Sequence, residues 1–434
     1  MLHHFITIFL RNLNRQKIYA IFNIAGLSIG LTTFILIATL VQYEYSFDKF
    51  HQNLDKIYRV EEIAHMSDGD QFWSQTCYPI AENFKDEFPE VMDAVVTRPV
   101  WGDYLSSTEK LTFFEPDGLY ASPSLFNIFS FEFVDGDKTM ALLEPASIVL
   151  NDELAQKYFP EGNALGQMIT VRNKFPHKVT GIIRKLPDNS TLQPSYICHI
   201  NALKTVDNVI LRDNWNNYSY YTYVLLQDEN QGEGLQAKIA GYMLDKDEKT
   251  KGTLKLRPFS IIHLRPSDLG GMYLLVALYS MVAGLALFIA AINFINLITA
   301  YAETRGKEIG IKKVIGGRRS ILFLQFISES ITLSFISVFL AFLISEITLP
   351  LFNRIVDRQL DIRYIQNIEF ILMIVGVALI IGFLAGIYPA LYMSSFKPIR
   401  FLRISYTGTG GRSWLRKSLV VVQFVIATFL ILTT

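Results

Sequence analysis

Two regimes of hydrophobic and polar positions alternate along this chain. Residues 19–41 run 23 positions without a charge, about 34 Å as a helix and enough to cross a ~30 Å hydrocarbon core. Residues 271–300 form a second uncharged run, and 321–345 a third, broken only by Glu329. A fourth, 370–393, carries Gly382 and Gly386 at the small-residue spacing that lets membrane helices approach closely. Residues 418–434 begin a fifth run of 17, about 25 Å and short of a full span. The first run does not read as a cleaved signal: no small-residue cleavage site follows it in Gln42-Tyr43-Glu44-Tyr45. Ahead of it, in residues 1–18, Leu2, Phe5, Ile6, Phe9 and Leu13 recur at helical spacing. That pattern fits an amphipathic surface helix, and a frayed basic tail equally well.

Between the first two runs the pattern changes to short β-rich and helical segments. Lys56–Ala64, Ser147–Leu150, Gln167–Arg172, Lys178–Lys185, Tyr220–Leu226 and Leu254–Leu264 read as strands. Ile80–Phe88 reads as a helix stopped before Pro89, and Asn151 caps another, with Asp152 and Glu153 in its first turn. A further helical stretch falls near Leu235–Leu244. The predicted fold is an α-helical transmembrane bundle of four complete spans and a partial fifth. A large α/β extracytoplasmic domain, residues 42–270, is inserted between the first and second spans.

Composition agrees: 50% of the 434 residues are hydrophobic and 18% charged, against ~25% charged in soluble domains. The net charge of zero conceals a sharp asymmetry. Arg11, Arg15 and Lys17 precede the first span with no acid; residues 301–320 carry six bases and two acids; residues 394–417 carry six bases and none. Residues 42–270 carry 22 bases and 33 acids, and the short loop 346–369 lies between the third and fourth spans. Basic flanks stay in the cytoplasm. The N-terminus is therefore predicted inside, the 42–270 domain outside (periplasmic), and the chain multi-pass in the inner (cytoplasmic) membrane.

Catalytic chemistry is not legible in the outer domain. The seven histidines show neither HExxH nor a metal-ligand spacing, and no GxSxG elbow occurs. Neither a catalytic nor a metal site is predicted, nor nucleic-acid binding. Cys77 and Cys198 both lie in the outer domain, where a disulfide could persist; nothing in the sequence brings them together, so two buried thiols are expected.

The basic loop Tyr301–Gly317 reads as a short surface helix with Glu303 in its N-terminal turn and Lys312 and Lys313 in its last. Glu308 and Lys312 form an i,i+4 pair, Gly316-Gly317 suits a cap, and Ile311, Val314 and Ile315 make a small apolar stripe. Gly306 and Gly310 each cost ~1 kcal/mol against alanine. Close approach of another backbone would explain them. A solvated juxtamembrane helix near lipid headgroups fits the charges too.

Arg305-x-x-Glu308-Ile309-Gly310-x-x-Lys313-x-x-Gly316, with Gln325-Phe326 and Glu329, resembles the core of the FtsX-like permease domain. Ala385-Gly386-x-Tyr388-Pro389-Ala390 with Lys397-Pro398 and Leu402-Arg403 resembles that domain's closing motif. Tyr45-Ser46-Phe47-Asp48, Ile57-Tyr58-Arg59-Val60, Ser147-Ile148-Val149-Leu150, Leu154-Ala155 and Gly166 resemble the MacB-like periplasmic core domain. The resemblance implies a permease subunit of a mechanotransmission-type ABC transporter. A separate cytoplasmic ABC ATPase would move the outer domain for export, efflux or lipoprotein handling. The alternative it leaves open is a transmembrane regulator of a periplasmic cell-wall hydrolase, without transport.

Carried onto this sequence, Arg305, Glu308, Ile309, Gly310, Lys313 and Gly316 would couple to the ATPase. Gln325 and Glu329 would seat the third span, and Gly386, Pro389 and Pro398 would belong to the closing motif. On its own chemistry Glu329 reads as an interfacial carboxylate rather than a proton relay, since no second charge shares its apolar run. The chain has no GxxxxGK[ST] phosphate loop, so ATP is expected only through the partner. Membrane lipids and a periplasmic adaptor or hydrolase complete the expected partners. The segment from Leu415 to Phe424 resembles the opening of a second copy of the unit, which implies a longer architecture; a short tilted anchor is the other reading.

Overall fold

The computed structural model describes residues 17–107, 111–211, 214–244, 246, 252–267, 270–315, 318–362, 368–395 and 414–433. The chain divides into two compact units, residues 44–274 and residues 1–43 with 275–434.

Helix α1 (Lys17–Glu44) delivers the chain to the outer unit. Among its described residues that unit has thirteen strands: β1 (Ile57–Met66), β2 (Gly69–Trp73), β3 (Val91–Val100), β4 (Asp103–Ser107), β5 (Thr112–Glu115), β6 (Gly118–Ala121), β7 (Phe133–Gly136), β8 (Ser147–Asn151), β9 (Met168–Val171), β10 (Phe175–Ile183), β11 (Tyr196–His199), β12 (Tyr221–Leu226) and β13 (Thr253–Pro258). They join in the order β13-β1-β12-β3-β6-β11-β8-β10-β9-β4-β5, with β2 on β1 and β7 on β10. The β8–β10 and β6–β11 pairs are parallel and the other pairs antiparallel. Helices α2 (Pro79–Glu87), α3 (Asp152–Tyr158) and α4 (Gly232–Ile239) cover the sheet.

Both faces of the central strands are buried. Ile148 and Leu150 enter one apolar core while Val149, between them, enters the other; the period-2 alternation of a strand makes this inevitable. A strand covered on both sides reads as a continuous apolar run, which is why Ser147–Leu150 was legible. Asn151 caps α3 as its sequence predicts, its Oδ1 accepting from Leu154 N at 2.7 Å. Cys77 and Cys198 are buried and unbridged. The run Leu254–Leu264 stops being a strand at Pro258, which has no N–H to continue the ladder, and a 3₁₀ turn follows at Phe259–Ile261. The segment entering the domain is pinned. Asp48, with a left-handed φ of 62°, accepts from Thr191 N at 2.8 Å and Thr191 Oγ1 at 2.5 Å.

In the other unit, α1 is joined by α5 (Met272–Thr304), α6 (Gly306–Val314), α7 (Arg319–Val356), α8 (Ile368–Ser395) and α9 (Trp414–Thr433). Among the described residues four helices, α1, α5, α7 and α8, are long and apolar enough to cross a membrane. They meet through small residues. Gly30 faces Ala290 so closely that a β-carbon on it would overlap the alanine's. Ser28 and Thr32 of α1 donate to the Ser337 and Ala341 carbonyls of α7 at 3.1 and 3.3 Å. A β-carbon on Gly382 of α8 would come within 3.1 Å of Ile331 Cα, and one on Gly386 would overlap Ser330 Oγ.

Two boundaries differ from the pattern's prediction. Helix α7 continues for 38 residues, taking in 346–356, where a loop is predicted. Leu349 is buried there, with Phe352 and Val356 packed on the core, and Asp357 ends the helix with φ 51°. Helix α5 likewise runs past residue 300 to Thr304. Glu303 therefore falls in the last turn of a long helix rather than the first turn of a short one, because nothing breaks the helix before Arg305-Gly306.

Candidate functional site

The basic loop builds one connected cluster. Arg305 alone separates α5 from α6; its backbone (φ −88°, ψ 6°) leaves the helix, and its carbonyl accepts from Ile309 N at 3.1 Å to start α6. Glu308 in the first turn of α6 and Lys312 and Lys313 in the last suit the helix dipole. The predicted i,i+4 pair forms, Lys312 Nζ to Glu308 Oε1 at 2.9 Å.

Arg305 turns inward. Its side chain is only 5% exposed and bridges two helices: Nη1 to Glu329 Oε2 of α7 at 2.7 Å, Nη2 to Glu308 Oε1 of α6 at 3.3 Å. Gln325 Nε2 donates to the other Glu329 oxygen at 2.9 Å. The guanidinium lies 5.3 Å from the Tyr301 ring and 5.9 Å from that of Phe326, and Tyr301 stacks on Tyr19 at 4.3 Å. A buried arginine with two carboxylates and two aromatic faces is well compensated. Partial burial pushes the Glu308 carboxyl up, but hydrogen bonds from Arg305 and Lys312 outweigh it and hold it at about 2. Glu308 is therefore ionised at any physiological pH. Lys313 is moved down by partial burial and the nearby Arg319 charge.

Ile309 is buried with Ala302, Leu322, Phe326, Ile327 and Ala390. Two motifs some eighty positions apart thus meet: Ile309 from the basic loop and Ala390 from the closing motif, which also holds Gly386 against α7 and Pro389 inside α8. Gly306 and Gly310 are buried as well, so the close approach they permit is to this chain itself. On and just after α6 the most exposed described side chains are apolar instead: Ile311, Val314 and Ile315 are 52, 64 and 81% exposed. Gly316 and Pro398 lie outside the described residues. Sequence reasoning missed Tyr301 and Tyr19; the aromatic one helical turn before Arg305 was the available signal.

The family model for the MacB-like periplasmic core domain matches residues 20–242, just over half of the chain. The FtsX-like permease C-terminal model matches residues 280–398, from α5 through the closing motif. This chain belongs to the FtsX/MacB type of ABC permease. As in that family, the periplasmic core domain precedes the permease domain, here within a multi-pass membrane protein. One relative of this permease is the macrolide export ATP-binding/permease protein MacB of Bdellovibrio bacteriovorus, 24% identical over 258 residues, covering 59% of this chain and 38% of that one. The chain thus spans well under half the length of that relative. The uncharacterized ABC transporter permease YvrN of Bacillus subtilis is 22% identical over 433 residues, covering 93% of this chain and 100% of that one. Among solved structures, the periplasmic region of MacB from Actinobacillus actinomycetemcomitans overlaps 50% of the chain and 94% of its own at 13% identity and a TM-score of 0.36, a likeness too loose to carry an argument.

Proposed function

We propose that this permease is the membrane subunit of a mechanotransmission device. A separate cytoplasmic ABC ATPase docks on α6, and its cycle moves the outer domain for export, efflux or lipoprotein handling. The observation that carries this is the Arg305 bridge. A rigid link between α6 and the start of α7 makes displacement of a nine-residue surface helix a displacement of a membrane-spanning one. The bridge also revises the roles expected of the motif. Arg305, Gln325, Glu329 and Ile309 act as the strut, Glu308 joins strut to surface, and Ile311, Val314 and Ile315 form the docking face. The orientation is the one the charges favour, with α6 in the cytoplasm and residues 44–274 outside.

The test is to recover an ABC ATPase that co-purifies with this chain from native membranes and to measure its stimulation by the chain in lipid nanodiscs. Val314→Asp should abolish co-purification of the ATPase. Arg305→Met should leave the ATPase bound but uncouple its hydrolysis from movement of the outer domain. Normal binding and stimulation by Val314→Asp would defeat the proposal. Orientation is checked by labelling single cysteines from outside: a cysteine at Asn230 should react and one at Arg318 should not.

A further inference from the structure

A cavity of about 460 Å³ lies within the outer unit, lined by Lys255, Arg257, Arg265, Ile261, Tyr273 and Leu274 among others. Three bases around one cavity run against the character of residues 42–270, which carry eleven more acids than bases, 33 against 22. Their geometry is built rather than incidental. The β1–β13 register sets Arg59 opposite Arg257 and Glu61 opposite Lys255, so all four side chains share one face of the sheet. Glu61 is fully buried and orients Arg257, accepting from its Nε at 2.8 and 2.7 Å, and it also accepts from Arg59 Nε at 2.9 Å. One carboxylate is shared between the two arginines of this face. Glu62, the next residue on β1, belongs to the opposite face. Asp268 lies outside the described residues. Arg265 is exposed, its guanidinium 4.3 Å from the Tyr273 ring.

The other half of the lining is apolar. Tyr273 and Leu274 belong to the first turn of α5, which continues for 33 residues as a membrane-crossing helix. Bases beside an apolar wall at the start of a span match an amphiphile with an anionic head. The acidic domain repels anions arriving from bulk solution, whereas the bilayer presents them at the foot of α5. We propose that this cavity binds the phosphate group of an anionic phospholipid whose chains remain in the membrane that α5 enters. The proposal rests on the membrane-spanning reading of α5 and is independent of how α6 meets an ATPase.

The experiment uses the full chain in nanodiscs containing photoactivatable phosphatidylglycerol, with lipid adducts mapped by peptide mass spectrometry. Adducts are expected on peptides covering 253–274 and, separately, on the basic cytoplasmic segments. The Lys255→Ser/Arg265→Ser variant should lose the first set about thirtyfold, the order expected when two bases that each attract an anionic lipid surface are removed, and keep the second. The second set reports that the variant is folded and inserted. Arg265→Ser alone should give part of that loss and Arg265→Lys should restore labelling. Unlabelled phosphatidylglycerol should compete and phosphatidylcholine should not. Equal labelling of wild type and the double variant overturns the proposal, as does equal competition by phosphatidylcholine. Displacement by inorganic phosphate but not by phosphatidylglycerol overturns it too, making the cavity a site for free phosphate.

Discussion

The outer sheet and the membrane bundle solve the same packing problem with opposite materials. In the sheet, the largest side chains are the most deeply buried: Tyr120, Tyr158, Tyr196, Phe84 and Phe126 are all below 2% exposed. Its buried charges are held by counter-charges, as in the Arg59–Glu61–Arg257 trio. In the bundle, the contacts that decide how near two helices come are made by glycine, alanine, serine and threonine, with hydroxyls donating to backbone carbonyls of the next helix. The solvent explains the contrast. Water drives large apolar groups together, while lipid is as apolar as leucine and leaves only close contact and polar pairing to favour association.

The comparison breaks first at its strongest point. Phe84 of α2 is fully buried, with the Phe88 and Tyr242 rings at 5.0 and 5.2 Å. Phe84→Ala should destabilise the outer unit by about 3–5 kcal/mol, read as loss of hydrogen-exchange protection across 44–274. A change below about 1 kcal/mol would mean that this core is not what holds the sheet. In the bundle the sensitive substitution is the reverse, small to large. Gly386→Leu must displace Ser330 and the Ile327 backbone, at an expected cost of about 1–3 kcal/mol. Loss of a disulfide engineered between α7 and α8 would report it. Undiminished crosslinking would show that the glycine spacing does not set this contact.

This contrast also decides how much was readable in advance. The spans, the buried β8, the α3 cap and the Gly382/Gly386 approach follow from local patterns, because period, length and turn chemistry are written in neighbouring residues. Strand β3 was not found: Asp93, Arg98 and Pro99 interrupt its apolar run, and only its partners β12 and β6 reveal why it is extended. The Arg305–Glu329 bridge was equally hidden. Both residues stand out in the sequence, yet the motif points one at a partner protein and the apolar run offers the other no companion. The pairing depends on α6 folding back beside α7, which no spacing within either segment encodes. Sheet order and helix-to-helix ion pairs are long-range facts. Helix starts, caps and small-residue spacings are local ones.

A smaller effect sharpens the membrane half. Ser334 Oγ donates to the Ala378 carbonyl at 2.6 Å, from α7 to α8. Polar contacts within membranes average only about 0.6 kcal/mol, so Ser334→Ala should shift unfolding in detergent barely, far less than Gly386→Leu. If the two substitutions cost the same, hydrogen bonding rather than close approach would be the main glue of this bundle.

The smallest effect is expected at α9. In α1, Leu27, Leu31 and Ile35 are at most 1% exposed, whereas Val421, Phe424 and Val425 of α9 are 61, 68 and 63% exposed. None of the described side chains of α9 enters the core that joins α1, α5, α7 and α8. An apolar helix with no described side chain in that core contributes lipid contacts but little association energy, since lipid already satisfies apolar surface. Deleting residues 414–434 should therefore move the unfolding midpoint of the remaining chain in detergent by no more than the ~0.5 kcal/mol typical of surface changes. Insertion and the Arg305–Glu329 contact should be unaffected. A loss of several kcal/mol would show that α9 packs against the other four helices through its described face after all. The division between helices that hold the bundle and one that merely accompanies it would then have to be redrawn.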